Sequence, residues 1–137
     1  AQTFERNLVT LIAVAESGGA TVVLSTFATL HDPYLNWRSP RKTIKKLSPF
    51  QQQNVGALYY FTPGLTFAGI FEGIQRYNRI IRNVATQKNA VLVDNGRLIP
   101  HQDQYFVDRV HFSAAGARLM AENLAPFLKK ILSETVK

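Results

Sequence analysis

The chain contains no cysteine, and its 137 residues include one methionine and one tryptophan. The missing thiols exclude a disulfide scaffold, Cys-ligated zinc, iron–sulfur clusters and thiol catalysis, and leave the compartment undecided. No apolar run approaches the ~20 residues that a membrane-spanning helix needs, and there is no internal repeat or low-complexity tract. Acids are few: nine Asp and Glu stand against sixteen Lys and Arg, for a net charge of +7. Hydrophobic residues are not scarce. At 46% of the chain they suffice to bury a core, which excludes wholesale disorder.

The positive charge is local. Arg38, Arg41, Lys42, Lys45 and Lys46 fall in one stretch that holds no acid, and without them eleven bases face nine acids. Segment 38–46 is therefore a basic loop. It is either simply solvated or able to attract an anionic ligand, a polyanion or a membrane surface.

Hydrophobic spacing predicts a helix over residues 3–17, with Thr3 as N-cap, Phe4, Leu8, Leu11, Ile12 and Ala15 on its apolar face, and Gly18-Gly19 as its end. Residues 21–27 form a β-branched run without polar alternation, the pattern of a strand covered on both faces. Segment 28–65 carries four prolines, the basic loop, three consecutive glutamines and many aromatics, and is expected to be a long insertion or lid with a short helix after Ser48. Thr66 is expected to cap a helix running to about Gln87, with Phe67, Ile70, Phe71, Ile74, Tyr77, Ile81 and Val84 facing inward and Arg76, Arg79 and Arg82 outward. Residues 90–94 read as a second buried strand. Ser113 caps a last helix that Pro126 should kink.

Strands alternating with helices predict an α/β fold with a parallel sheet. Two strands are too few for such a sheet, which ordinarily has about five. Together with a start at Ala1 rather than Met, this suggests a chain that lacks the N-terminal strands of its sheet.

The sharpest local pattern is Asp108-Arg109-Val110-His111. An acid three residues before a histidine can fold back and accept a hydrogen bond from one imidazole nitrogen, leaving the other free as a general base. Such spacing arises by chance in about one chain in ten of this composition, so its context decides its weight. His31-Asp32 follows the first strand, where ligands bind in open α/β sheets. It would either line a substrate site or cap a turn. His101, Asp103, Asp108 and His111 lack any recognised metal-ligand spacing, so no metal and no other cofactor is expected.

Asp108-x-x-His111-x-Ser113-x-x-Gly116, entering an Ala- and Leu-rich C-terminal helix, resembles the last conserved block of the SGNH (GDSL-type) hydrolases. Tyr77-Asn78, Ile81-Arg82 and Ala85, followed by the strand ending at Asp94, look like that family's penultimate helix and last strand. Phe4, Asn7-Leu8, Leu11-Ile12, Gly18-Gly19 and Val22-Val23-Leu24 look like the helix and strand before them. The resemblance covers most of the chain outside 28–65.

It implies a three-layer flavodoxin-like domain of which residues 1–137 form the C-terminal part. It also implies a serine-type esterase or lipase-like activity, with His111 as the base and Asp108 as its orienter. The family's Gly-Asp-Ser block, and the glycine and asparagine of its oxyanion hole, are not found here. Ser17-Gly18-Gly19 is the nearest look-alike, and it ends a helix rather than following a strand. The nucleophile is therefore expected in a missing N-terminal portion of the domain, and these residues alone are expected to be inactive. On that scaffold the 28–65 segment would flank the active-site mouth, making His31, Trp37 and Arg38 candidate contacts to a small-molecule or glycan ester. Alternatives are an O-acetyltransferase on the same scaffold, or a non-enzymatic module that binds a polyanion through segment 38–46.

Overall fold

A computed structural model describes residues 1–135. The first helix, α1 (Gln2–Ser17), starts one residue earlier than expected. Ala1 occupies the N-cap position, and Thr3 lies within the first turn. Gly19 at φ +78° takes the left-handed backbone at the helix exit. The first strand, β1, is short (Val23–Ser25), and it pairs in parallel with β2 (Val91–Val93) in the register Val23 to Val91, Leu24 to Leu92 and Ser25 to Val93.

Between them lie α2 (Pro40–Ile44), α3 (Pro49–Phe61) and the long α4 (Phe67–Lys88). Thr66 caps α4 by accepting the Gly69 N–H at 3.0 Å, and Asn89 at φ 52° closes its other end. After β2 come α5 (Asn95–Leu98), a 3-10 turn at Asp103–Tyr105, and α6 (Ala114–Thr135), which continues through Pro126.

The expected three-layer flavodoxin-like sheet is not what this chain forms. Helix accounts for 61% and strand for 6%, and the sheet has two strands among the described residues. The two β-branched runs do form parallel strands, but each pairs over three residues only. The remaining apolar residues lie mainly on helices.

The sheet is covered by α1 and α4, where Ile12, Ile80, Ile81, Val84 and Ala85 close over Leu24, with Phe4, Leu8, Val22 and Leu92 packed around them. Burying each Ile or Leu of this kind contributes about 1.5–3 kcal/mol. Leu119 and Met120 of α6 pack on a separate cluster built from Ala28, Leu30, Ile99 and Phe106.

Segment 28–65 carries α2 and α3 between irregular stretches and has a core of its own on α4. Trp37 is buried and stacks on Phe71 with 3.9 Å between ring centroids, and Val55, Leu58 and Ile70 complete the cluster. His31 belongs to this packing. It is 1% exposed, lies edge-on to Trp37 and Phe71, and donates through Nε2 to the Gln51 carbonyl at 2.8 Å.

Burial lowers the His31 pKa below the usual histidine value. The Gln51 carbonyl pulls it back up only in part. The fold therefore holds this imidazole neutral, while the unfolded chain takes up its proton below about pH 6.5. The free energy of unfolding should fall as pH drops from 7.5 to 5.5, by up to about 1.4 kcal/mol per pH unit. His31→Gln should flatten that slope, and an unchanged slope would place the imidazole's titration elsewhere. Asp94 and Asp108 act in a different window, because their depressed carboxyls withdraw stability only below about pH 4.

Candidate active site

Beyond the C-terminal ends of β1 and β2 the chain is tied together by polar side chains. Asn78 of α4, itself buried, accepts the Phe27 N–H at 2.8 Å and donates to the Phe27 carbonyl at 2.9 Å, so it satisfies the backbone where the sheet ends. Asp94 accepts from both Nε and Nη2 of Arg82, at 2.9 and 2.8 Å, and from the Thr26 hydroxyl at 2.7 Å. Desolvation would raise the Asp94 pKa, but Arg82 and Thr26 outweigh it and hold the carboxyl low. Arg82, expected on the outward face of α4, is thus half of a mostly buried ion pair. Asn95 donates to Ser25 Oγ at 3.0 Å and accepts from Asn123 of α6 at 3.0 Å, linking strand end to last helix.

The Asp–His motif sits on a tight loop closed by an antiparallel bridge between Phe106 and Phe112 and by the Val107 N–H on the His111 carbonyl at 2.9 Å. Within it, Asp108 Oδ1 accepts the backbone N–H groups of Val110 and His111, both at 2.8 Å. Oδ2 lies 2.7 Å from His111 Nδ1. Desolvation acts to raise the Asp108 pKa. The two backbone donors and the imidazole overcome it and bring the carboxyl down to about 2. At neutral pH it is therefore a carboxylate, and a carboxylate at 2.7 Å requires the imidazole proton on Nδ1. Nε2 is the open nitrogen: it makes no hydrogen bond among the described residues and belongs to a side chain that is 75% exposed.

Ser113 and Gly116 place this loop on α6. The Ser113 hydroxyl accepts the Gly116 N–H at 3.2 Å and donates to the Gln104 carbonyl. The Ser113 N–H donates to the Tyr105 carbonyl at 3.0 Å. A methyl group at Gly116 would collide with that same Tyr105 carbonyl, so glycine lets the helix start lie directly against the 3-10 turn.

A hollow of about 230 Å³ adjoins the loop, lined by Ser25, Phe27, Asn95, Val110, Phe112 and Met120. Val110 and Phe112 flank His111 in sequence, so the walls of the hollow and the imidazole share one loop.

The other expected site residues lie apart from this loop. His31 and Trp37 are in the core of the 28–65 segment, and Trp37 Nε1 donates to the Asp32 carbonyl at 2.8 Å. Asp32 caps a turn by accepting the Tyr34 N–H. Trp37, with Arg38, Pro33, Ala68 and Gln75, also lines a hollow of about 190 Å³. Arg38 is exposed and pairs with Glu72 at 3.3 Å. Lys42 and Lys46 line a separate hollow of about 320 Å³ with Asn36, Ser39 and Leu47.

His101 Nδ1 donates to the Thr29 carbonyl, and Asp103 accepts from Ser48. No cluster of His, Asp or Glu able to hold a metal occurs among the described residues. Ser17 donates to the Val14 carbonyl at the end of α1. Ser25 and Ser113 are engaged as described above.

Gln51 also supports the site, and part of its role is readable in the sequence. Gln51 closes a capping box with Ser48, and its amide also donates to the carbonyls of Leu30 and His101. Leu30 in turn donates to the Arg109 carbonyl at 3.1 Å, so α3 is coupled to the Asp–His loop. The S-x-x-Q spacing of Ser48 and Gln51 is the readable half of that role.

Compared with protein-family models, curated proteins and solved structures, the chain matches none of them.

Proposed function

We propose that Asp108 and His111 are the orienter and base of a serine-type ester hydrolysis of the kind SGNH hydrolases carry out. One arrangement supports this reading: an ionised carboxylate fixed by two backbone N–H groups, hydrogen-bonded to Nδ1, with Nε2 open to solvent. In this mechanism a serine hydroxyl attacks the acyl carbonyl while Nε2 takes its proton, and the imidazolium then delivers that proton to the departing alcohol. Asp108 stabilises the imidazolium in between. The serine is assigned to residues outside this chain. Water as acyl acceptor gives an esterase, and a sugar hydroxyl gives an O-acetyltransferase.

The 137 residues alone should not turn over p-nitrophenyl acetate. A chain extended upstream of Ala1 should be labelled on a serine by a fluorophosphonate, and His111→Ala should slow that labelling by about 10³-fold or more. Equal labelling rates with and without His111 would sink the reading.

A further inference from the structure

Arg109 lies between the two members of the pair, and nothing in the proposed reaction uses it. Its guanidinium carbon sits 4.4 Å from the centroid of the Phe61 ring, at the end of α3. Its backbone is pinned by the Leu30 N–H on its carbonyl. Among the described residues its side chain makes no ion pair and no hydrogen bond, and among the arginines it is the one seated on an aromatic ring. The adjacent carboxylate, Asp108, is already occupied by His111 and two backbone donors.

A ring beneath a guanidinium covers its face and restrains it. The edge, with its fork of N–H donors, remains available. That edge is the geometry that grips a carboxylate or phosphate through two parallel hydrogen bonds. Two residues of chain separate the Arg109 and His111 backbones by at most about 7 Å, so the guanidinium and the imidazole leave one short loop. The net charge of +7 favours the approach of anions from a distance.

We propose that Arg109, held over Phe61, binds an oxyanion carried by the substrate, so that the preferred ester is an anionic one, such as a half-ester of a diacid. Calling the anion part of a substrate rests on the ester-hydrolase reading. The anion site itself does not.

The test is an NMR titration of the chain, following the Arg109 Nε–Hε resonance, with monomethyl succinate, neutral dimethyl succinate and methyl phosphate. The charged half-ester should bind at least about 10-fold more tightly than the diester. Arg109→Gln should remove that preference, Arg109→Lys should retain part of it, and Phe61→Leu should weaken it about 3-fold. Tighter binding of methyl phosphate than of the half-ester would support the site and identify phosphate as its anion. Equal affinity for charged and neutral esters, or binding indifferent to Arg109→Gln, would overturn the proposal. His111→Gln should leave the binding intact. The two readings can therefore fail separately. Anion binding without a base-competent His111 removes the hydrolase and keeps the site. A base-competent His111 without anion preference does the reverse.

Discussion

Asp108→Asn is expected to reverse the tautomer of His111. In the native loop one carboxylate oxygen accepts two backbone N–H groups and the other accepts from Nδ1. An asparagine has one oxygen, and the two backbone donors will hold it. Its amide nitrogen must then face Nδ1, and a donor opposite Nδ1 leaves the lone pair there and sends the proton to Nε2. The nitrogen that should receive a hydroxyl proton becomes a donor. At alkaline pH, where imidazoles are neutral, the ¹⁵N shifts of His111 should show Nδ1 protonated in the native chain and Nε2 protonated in the variant. In an assembly that includes the serine, turnover should fall about 10⁴-fold, the loss associated with a triad histidine in the wrong tautomer. Because the Asp108 carboxyl lies at about 2, the native arrangement should show no loss from carboxylate protonation above about pH 4. A variant that keeps its proton on Nδ1 would mean that Asp108 does not orient the imidazole.

Gly116→Ala should be the more damaging of two outwardly similar helix substitutions. The added methyl would run into the backbone carbonyl of Tyr105, with Phe112 Cδ1 3.0 Å away, and neither can yield by a simple rotamer change. The start of α6 and the 3-10 turn must separate, straining the Ser113–Tyr105 and Ser113–Gln104 hydrogen bonds. A cost of about 3 kcal/mol is expected, at the upper end for overpacking. For a chain of this size that lowers the melting temperature by roughly 10–15 °C. The His111 resonances should shift as well, since the loop is mounted on this contact. Gly56→Ala in α3 is the control. Nothing lies within 4 Å of a methyl there, and relief of glycine's helix penalty should stabilise by up to about 1 kcal/mol. Similar melting temperatures for the two variants would contradict the packing role assigned to Gly116.

The structure contains the local features that depend on short-range chemistry. Thr66 and Ser113 cap as expected because a hydroxyl three residues before a helical N–H needs no distant partner. The two strands occur where the β-branched runs are, and Asp108 reaches His111 because both lie on the same tight loop. Thr3 does not cap, since Ala1 begins the helix two residues before it.

The sequence by itself determined the helical periodicities, the strand cores, the surplus of positive charge and the Asp–His pairing, all set by neighbours a few residues apart. Tertiary structure alone decided the width of the sheet, the burial of His31 and Trp37, the pairing of Arg82 with Asp94 across 12 residues, and the seating of Arg109 on Phe61. Those outcomes depend on which surfaces meet once the chain folds back on itself. An arginine on the polar side of a helix has the same spacing whether it faces water or a carboxylate. The +7 charge is therefore less informative as a total than one guanidinium, made available by an aromatic ring 48 residues earlier in the chain.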